Sequence, residues 1–172
     1  MISYQPEQNN TLTFEFPDEL VFQKFDAQNV SLPHGMKLVD LVIETDNNKL
    51  IVEIKDPSNP NAQQYQQAQK FITDLKNDTV ISHELTPKAR DTYTFLHLMK
   101  EDTKPLIFVA LLGLDALSEL DQNAILLTFR DRLMNHIRKE SDKPWERKHI
   151  EDCAVLTLET WNKTFPDWQV HR

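Results

Sequence analysis

The chain has 172 residues, 40% hydrophobic and 27% charged, a length and balance that fit one globular domain with a substantial core. A net charge of −8 counts against a free-standing nucleic-acid binder. No apolar run approaches the roughly 18 residues of a membrane span. The opening MISYQPEQNN has neither the basic patch nor the apolar stretch of a signal peptide, and the lone Cys153 offers no disulfide framework and no cysteine zinc site. A cytoplasmic, reduced setting with no membrane association is the expectation.

Residues 11–16 alternate Leu12, Phe14 and Phe16 and read as a strand. Residues 20–25, after Pro17-Asp18, read as a second strand or a short helix. A loop over 26–35, with a turn signal at His34-Gly35 and no metal partner for His34, leads into residues 36–56, MKLVDLVIETDNNKLIVEIKD. Val39, Leu41 and Ile43, then Leu50, Val52 and Ile54, are apolar at period two on either side of Asp46-Asn47-Asn48, the pattern of a β-hairpin. A two-residue loop at Asn47-Asn48 sets Thr45 opposite Leu50, Val42 opposite Glu53 and Asp40 opposite Lys55. The six apolar residues then share one face, and Asp40, Glu44, Glu53 and Lys55 share the other.

Beyond the hairpin, Asn59 as N-cap and Pro60 as first helical residue open a helix to about residue 76, with Tyr65, Ala68, Ile72 and Leu75 on one face. Five of the seven residues 63–69 are glutamine, which suits a polar helix face. Thr86-Pro87 opens a second helix by the same logic, to about residue 100, with Ala89, Tyr93, Leu96 and Met99 as its stripe. Residues 106–112 are a continuous apolar run ended by Gly113, a buried strand. Residues 121–138 read as one helix with Leu126, Phe129, Leu133 and Ile137 inward, 143–151 as a polar connection and 154–158 as a last strand. Thr160 caps a short helix, and Trp161, Phe165 and Trp168 are core anchors. Charge is uneven along this order. Residues 1–60 hold four Lys against ten Asp and Glu, whereas residues 130–149 hold seven Lys and Arg against four acids. The latter segment is a candidate phosphate grip, with a solvated, salt-bridged helix face as the alternative. No glycine-rich phosphate loop, Ser/His/Asp signature, histidine cluster or internal repeat is present.

Two carboxylates and an ammonium on one strand face suit an oxygen-ligated Mg²⁺, and equally a solvated face with a cross-strand ion pair. Asp40, twelve intervening residues, then Glu53-Ile54-Lys55 resembles the hairpin motif of the PD-(D/E)xK nuclease superfamily, which includes restriction endonucleases and RecB-type nucleases. Val39 stands where the family name has Pro. Gln67-x-x-x-Phe71 is the nearest equivalent of a Gln-x-x-x-Tyr helix motif in some members and lacks the hydroxyl. Lys88-Ala89-Arg90-Asp91-Thr92 is similar to a basic-Asp-Thr segment of some nuclease-like proteins.

The resemblance implies a single α/β domain over residues 1–172, with a mixed central sheet, antiparallel at the motif hairpin and flanked by helices, as in restriction endonucleases. It implies Mg²⁺, with Mn²⁺ as substitute, held by Asp40, Glu53 and the Ile54 carbonyl, with Lys55 acting on water and on transition-state charge. Glu19 and Gln67 are additional site candidates, and Lys88, Arg90, Arg138 and Lys139 are candidate phosphate contacts, the first two at a helix N-terminus. The implied function is phosphodiester hydrolysis, in DNA rather than RNA, in a restriction, repair or phage-defence setting. A protein partner or a second copy would supply basic surface. The alternative is a non-catalytic binding or assembly subunit of the same fold.

Overall fold

The computed structural model describes residues 1–6, 11–25, 32–33, 35–61 and 65–172, with backbone alone at 65–68. Strand β1 (Ile2–Tyr4) pairs antiparallel with β2 (Thr13–Phe16). Strands β3 (Phe22–Lys24), β4 (Leu41–Glu44) and β5 (Lys49–Lys55) form an antiparallel run, so residues 20–25 supply a strand and not a helix. Helix α1 (Tyr65–Lys76) and a helix-rich stretch ending in α2 (Thr86–Leu98) lead to β6 (Leu106–Leu112). Helices α3 (Glu119–Leu126) and α4 (Phe129–Arg138) lead to β7 (Asp152–Thr157). Helix α5 (Leu158–Thr164) and β8 (Gln169–His171) follow.

The result is a mixed α/β fold. Its central sheet has the order β3-β4-β5-β6-β7, with β5, β6 and β7 parallel, and a second antiparallel sheet has the order β1-β2-β8. Each face of the central sheet has its own core. Val42, Ile51, Phe108, Ala110 and Leu112 pack against the helices, with Leu85, Ala89, Leu96 and Leu133. Leu41, Ile43, Val52, Val109 and Leu111 pack against the small sheet and α5, with Phe14, Phe16 and Trp161. Among the described residues, no helix is long and apolar enough to cross a membrane.

The hairpin register differs from the expected one. Leu41 faces Val52 and Glu44 faces Lys49, with the turn centred on Asp46-Asn47 instead of Asn47-Asn48. Thr45 decides this, accepting from Asn48 N–H through Oγ1 at 3.0 Å while its own N–H and hydroxyl donate to Asn48 O. The shift is two residues in pairing, so the faces survive, but Asp40 now lies across from Glu53 and not Lys55. Val39 is the exception among the apolar six. It precedes the paired part of β4, its N–H donates to Thr92 Oγ1 at 3.0 Å, and its side chain joins the helix-side core.

Two helices depart from expectation. Helix α2 does begin at Thr86, but not as a free, capped helix end. A π-helical turn, Ile81–Leu85, runs directly into α2, and the Thr86 N–H donates to Ile81 O. The wider turn suits Pro87, which has no N–H and would otherwise crowd the carbonyl four residues back. Asn77 Oδ1 accepts from Thr79 N–H at the true start. The single helix expected over 121–138 breaks at Leu127-Thr128, where Thr128 takes φ of 59°. Ile125 and Phe129, on either side of the break, are both fully buried. Residue 160 is likewise not the cap of α5. Thr157 is, in a capping box with Thr160. The region 59–61 is a turn in which Asn59 Oδ1 accepts from Asn61 N–H, and residues 62–64 and 34 lie outside the described residues.

The carboxyl ends of β5 and β6 meet at a tight joint. Gly113 N–H donates to Lys55 O at 2.9 Å, and a Cβ on Gly113 would lie 2.1 Å from Asp56 Oδ1. Asp56, buried to within 3% exposure, receives both Arg172 Nη1 at 2.9 Å and Nη2 at 2.6 Å, and the same guanidinium binds Asp115. Hydrogen bonds accepted by Asp115 and Asp56 hold the Arg172 guanidinium firmly protonated. Gly113→Ala should therefore displace the Asp56 carboxylate from this clasp and destabilise the fold by about 2 kcal/mol or more. A urea-unfolding midpoint equal to that of the native chain would contradict this account.

Candidate functional site

The site lies at the edge where β5 and β6 end and β4 begins. Helix α2 fixes the chain entering β4. Lys37 N–H donates to Asp91 Oδ2 at 2.9 Å, and Val39 N–H to Thr92 Oγ1 at 3.0 Å. Asp40 sits at the bend that follows, and its Oδ2 accepts from Ile54 N–H at 2.7 Å. That bond ties Asp40 to β5 beside Glu53. Glu53 and Lys55 share the parity of Ile51, so both face the helices and not solvent.

Four charged side chains meet there, with a fifth behind them. Lys55 Nζ is 2.9 Å from Glu53 Oε1 and 2.6 Å from Glu84 Oε2. Lys88 Nζ is 2.6 Å from the same Glu53 Oε1 and 3.7 Å from Asp40 Oδ1. The second oxygen, Glu53 Oε2, is buried with no hydrogen-bond partner among the described residues. Residue exposure is 1% for Glu53 and 8% for Asp40, so this face is closed over by the π-turn and α2.

Burial, then the charge of Glu53, pushes the Asp40 carboxyl up to about 7, against the lowering effect of Lys88, the Ile54 N–H and Lys55. For Lys55, burial favours the neutral amine, but Glu53 and the hydrogen bond and charge of Glu84 outweigh it and hold the group above its ordinary range. A carboxyl that burial holds toward its protonated form thus lies beside a firmly protonated ammonium.

The remaining sequence candidates scatter. Lys88 is in the site, drawn in by Glu53. Because the helix continues back through the π-turn, no free N-terminal N–H groups lie beside it, so the helix-end argument for Lys88 and Arg90 falls. Arg90 points elsewhere, to Asp91 at 2.9 Å and to Glu140 at 2.5 Å. Arg138 and Lys139 are exposed at the end of α4. Glu19 is exposed in the turn before β3, by the Glu44 end of β4, the opposite end of that strand from Asp40. The side chain of Gln67 lies outside the described residues. Glu84 is the residue that sequence reasoning missed. Its signal is the four-residue spacing to Lys88 on one helical face, hidden as long as the helix starts at Thr86.

Among the described residues, no three Asp, Glu, His or Cys side chains come together as a metal cage. A cation here would rest on Asp40 Oδ1, on the unpartnered Glu53 Oε2 and on main-chain oxygen, and would keep waters. That donor set is hard and sparse, which suits Mg²⁺ or Mn²⁺ and not a soft metal. No protein-family model matches the chain, and neither a curated protein nor a solved structure matches it.

The raised Asp40 carboxyl has a signed consequence for stability. The folded state binds this proton more tightly than the unfolded chain, where the ordinary value is 3.8. Its contribution is therefore full below about 4 and is lost as pH rises through 7. Asp40→Asn removes the titration. The variant should match the native chain near pH 4 and exceed it by about 2–4 kcal/mol at pH 8 in urea unfolding. A stability difference that does not change with pH would mean that Asp40 is not held in this environment.

Proposed function

We propose that the chain is a Mg²⁺-dependent nuclease of restriction-endonuclease-like fold, hydrolysing phosphodiester bonds, with DNA as the substrate. The observation that carries this reading is the convergence of Asp40, Glu53 and Lys55 on one covered sheet face, in the order and spacing of the PD-(D/E)xK hairpin. An antiparallel hairpin whose second strand pairs in parallel with the next strand supports it too, as does the place of the site outside the carboxyl ends of parallel strands.

Asp40 and Glu53, with the Ile54 carbonyl, would hold the metal. When bound, Mg²⁺ would supply Lewis acidity at the phosphoryl oxygen and lower the pKa of a bound water. The protein's own groups do the rest. Glu53 fixes Lys55 from one side and Glu84 from the other, so the ammonium needs no reorganisation when charge develops on the phosphate. Closure by α2 lowers the local dielectric, which strengthens every charge interaction inside. The Ile54 N–H holds Asp40 Oδ2 and leaves Oδ1 for a ligand.

Cleavage assays on plasmid, linear duplex, single-stranded DNA and RNA, with Mg²⁺, Mn²⁺ or EDTA, test the reading. Lys55→Ala should still fold, at reduced stability, since Lys88 remains paired with Glu53 and Val52 and Ile54 pack on the opposite sheet face, and should retain metal binding. Its cleavage should fall at least about 10²-fold. Lys55→Arg should not rescue it, because a planar fork does not replace a compact ammonium between Glu53 and Glu84. Native-rate cleavage by Lys55→Ala would remove the basis for the proposal. Metal-independent nucleic-acid binding with no cleavage of any substrate would favour the binding-subunit alternative.

A further inference from the structure

Lys55 and Lys88 meet at the same oxygen of Glu53, yet they are held differently. Lys55 lies between two carboxylates, Glu53 and Glu84, at 2.9 and 2.6 Å. Among the described residues, Lys88 has no anionic partner other than the two carboxylates that would hold a metal, Glu53 at 2.6 Å and Asp40 at 3.7 Å. Among the described residues it is also the only cation that pairs with Asp40. The Lys88 side chain is 18% exposed, against 1% for Glu53 and 11% for Asp40, so solvent reaches it more than either carboxylate it bridges.

We propose that Lys88 is a built-in counter-cation: its ammonium occupies the space between Asp40 and Glu53 until a divalent cation takes those carboxylates, and it then turns to a phosphate of the nucleic acid. The inference rests on the nuclease reading of this site and assigns Lys88 a role in regulating it.

Three physical points carry it. Two carboxylates this deeply buried need compensating charge whenever both are ionised, because removing the partner of a buried ion is strongly destabilising. Lys88 supplies it in the metal-free protein. A divalent cation on Asp40 and Glu53 replaces one positive charge with two, and the Lys88 ammonium is then repelled from a place it had filled. Its part-exposed side chain leaves the first turn of α2 and is not a member of the core formed by Ala89 and Leu85, so the head can move outward without displacing either. The nearest anion that a nucleic-acid substrate would present at that mouth is a backbone phosphate. Metal and substrate thereby become coupled. Each relieves a contact that opposes the other, and the coupling is reciprocal. Lys55, pinned by Glu84, stays in place through the exchange, which separates the roles of two lysines that the contact distances alone make look equivalent.

The test uses the full chain and Mn²⁺ as the probe, titrated by calorimetry without nucleic acid, on the native protein, Lys88→Met and Asp40→Ala. Circular dichroism monitors folding, and Lys88→Gln is the second neutral variant should Lys88→Met fold poorly. Lys88→Met should bind Mn²⁺ at least about tenfold more tightly than the native chain, because the competing ammonium is gone. At saturating Mn²⁺ it should cleave at least about tenfold more slowly, because the phosphate contact is gone as well. Equal or weaker Mn²⁺ binding by the folded neutral variants, with native binding intact and Asp40→Ala binding lost, would overturn the counter-cation role and leave the nuclease reading standing. Tighter binding with unchanged cleavage would overturn the phosphate step. If the native chain binds no Mn²⁺, or Asp40→Ala binds it as well as the native chain, the nuclease reading fails, and this inference with it.

Discussion

Burying Glu53 on a central strand under a helix constrains everything around it. A carboxylate at 1% exposure costs several kcal/mol unless it is paired, and the fold brings two ammoniums to one of its oxygens, one from β5 itself and one from α2. The second cannot arrive unless α2 crosses the sheet edge at this point. The helix is held to that crossing by its hydrogen bonds to Lys37 and Val39, by Ala89 and Leu96 in the core, and by the π-turn that lets Pro87 sit within a continuous helix. The same crossing sets Asp40, since the clamped segment enters β4 directly after Val39. Helix placement, strand entry and charge pairing are one arrangement.

Asp40 shows what this arrangement costs. Its carboxyl is shifted to about 7 because Glu53 lies beside it and little water does. The fold is therefore more stable with Asp40 protonated, while an oxygen ligand for a hard cation must be ionised. Groups held against their solution preference are common where chemistry is done, and the surrounding structure carries the strain. Here that support comes from the Ile54 N–H on one oxygen and from the joint at Gly113, Asp56 and Arg172 just beyond Lys55.

The hairpin was legible because its apolar residues recur at period two on both strands, and a shift of two residues in pairing leaves that pattern intact. For that reason the site triad could be placed on one face while the cross-strand partner of Asp40 was misjudged. The turn residue Thr45, whose hydroxyl makes two bonds to Asn48, decides the register, and nothing in the alternation marks it. Strand β6 was legible from its unbroken apolar run. The short strands β1 and β8 were not, since each is three residues long and takes its stability from pairing with β2. Glu84 and the depth of burial stayed hidden for a different reason. Both depend on a helix that starts before Thr86, and Thr86-Pro87 carries every local sign of a helix start.

The basic stretch over residues 130–149 bears on how an acidic chain could engage a polyanion. Much of its positive charge is already engaged. Arg130 binds Asp152 and the Cys153 carbonyl, Arg132 binds Asp78, and Lys148 binds Glu151. Arg90, on α2, is committed to Glu140 of the same stretch. These pairs are largely surface contacts that tie α4 to the π-turn and to β7, and surface pairs add little stability each. Arg138, Lys139, Lys143 and Arg147 remain exposed, too few to offset a net charge of −8 by long-range attraction. On the nuclease reading, attraction for phosphate would then be short-range and local, from ammoniums at the site itself and from whatever surface a partner adds. On the counter-cation proposal, a site that keeps its own lysine over its carboxylates until a metal arrives would present little net charge when empty and become positive only when loaded.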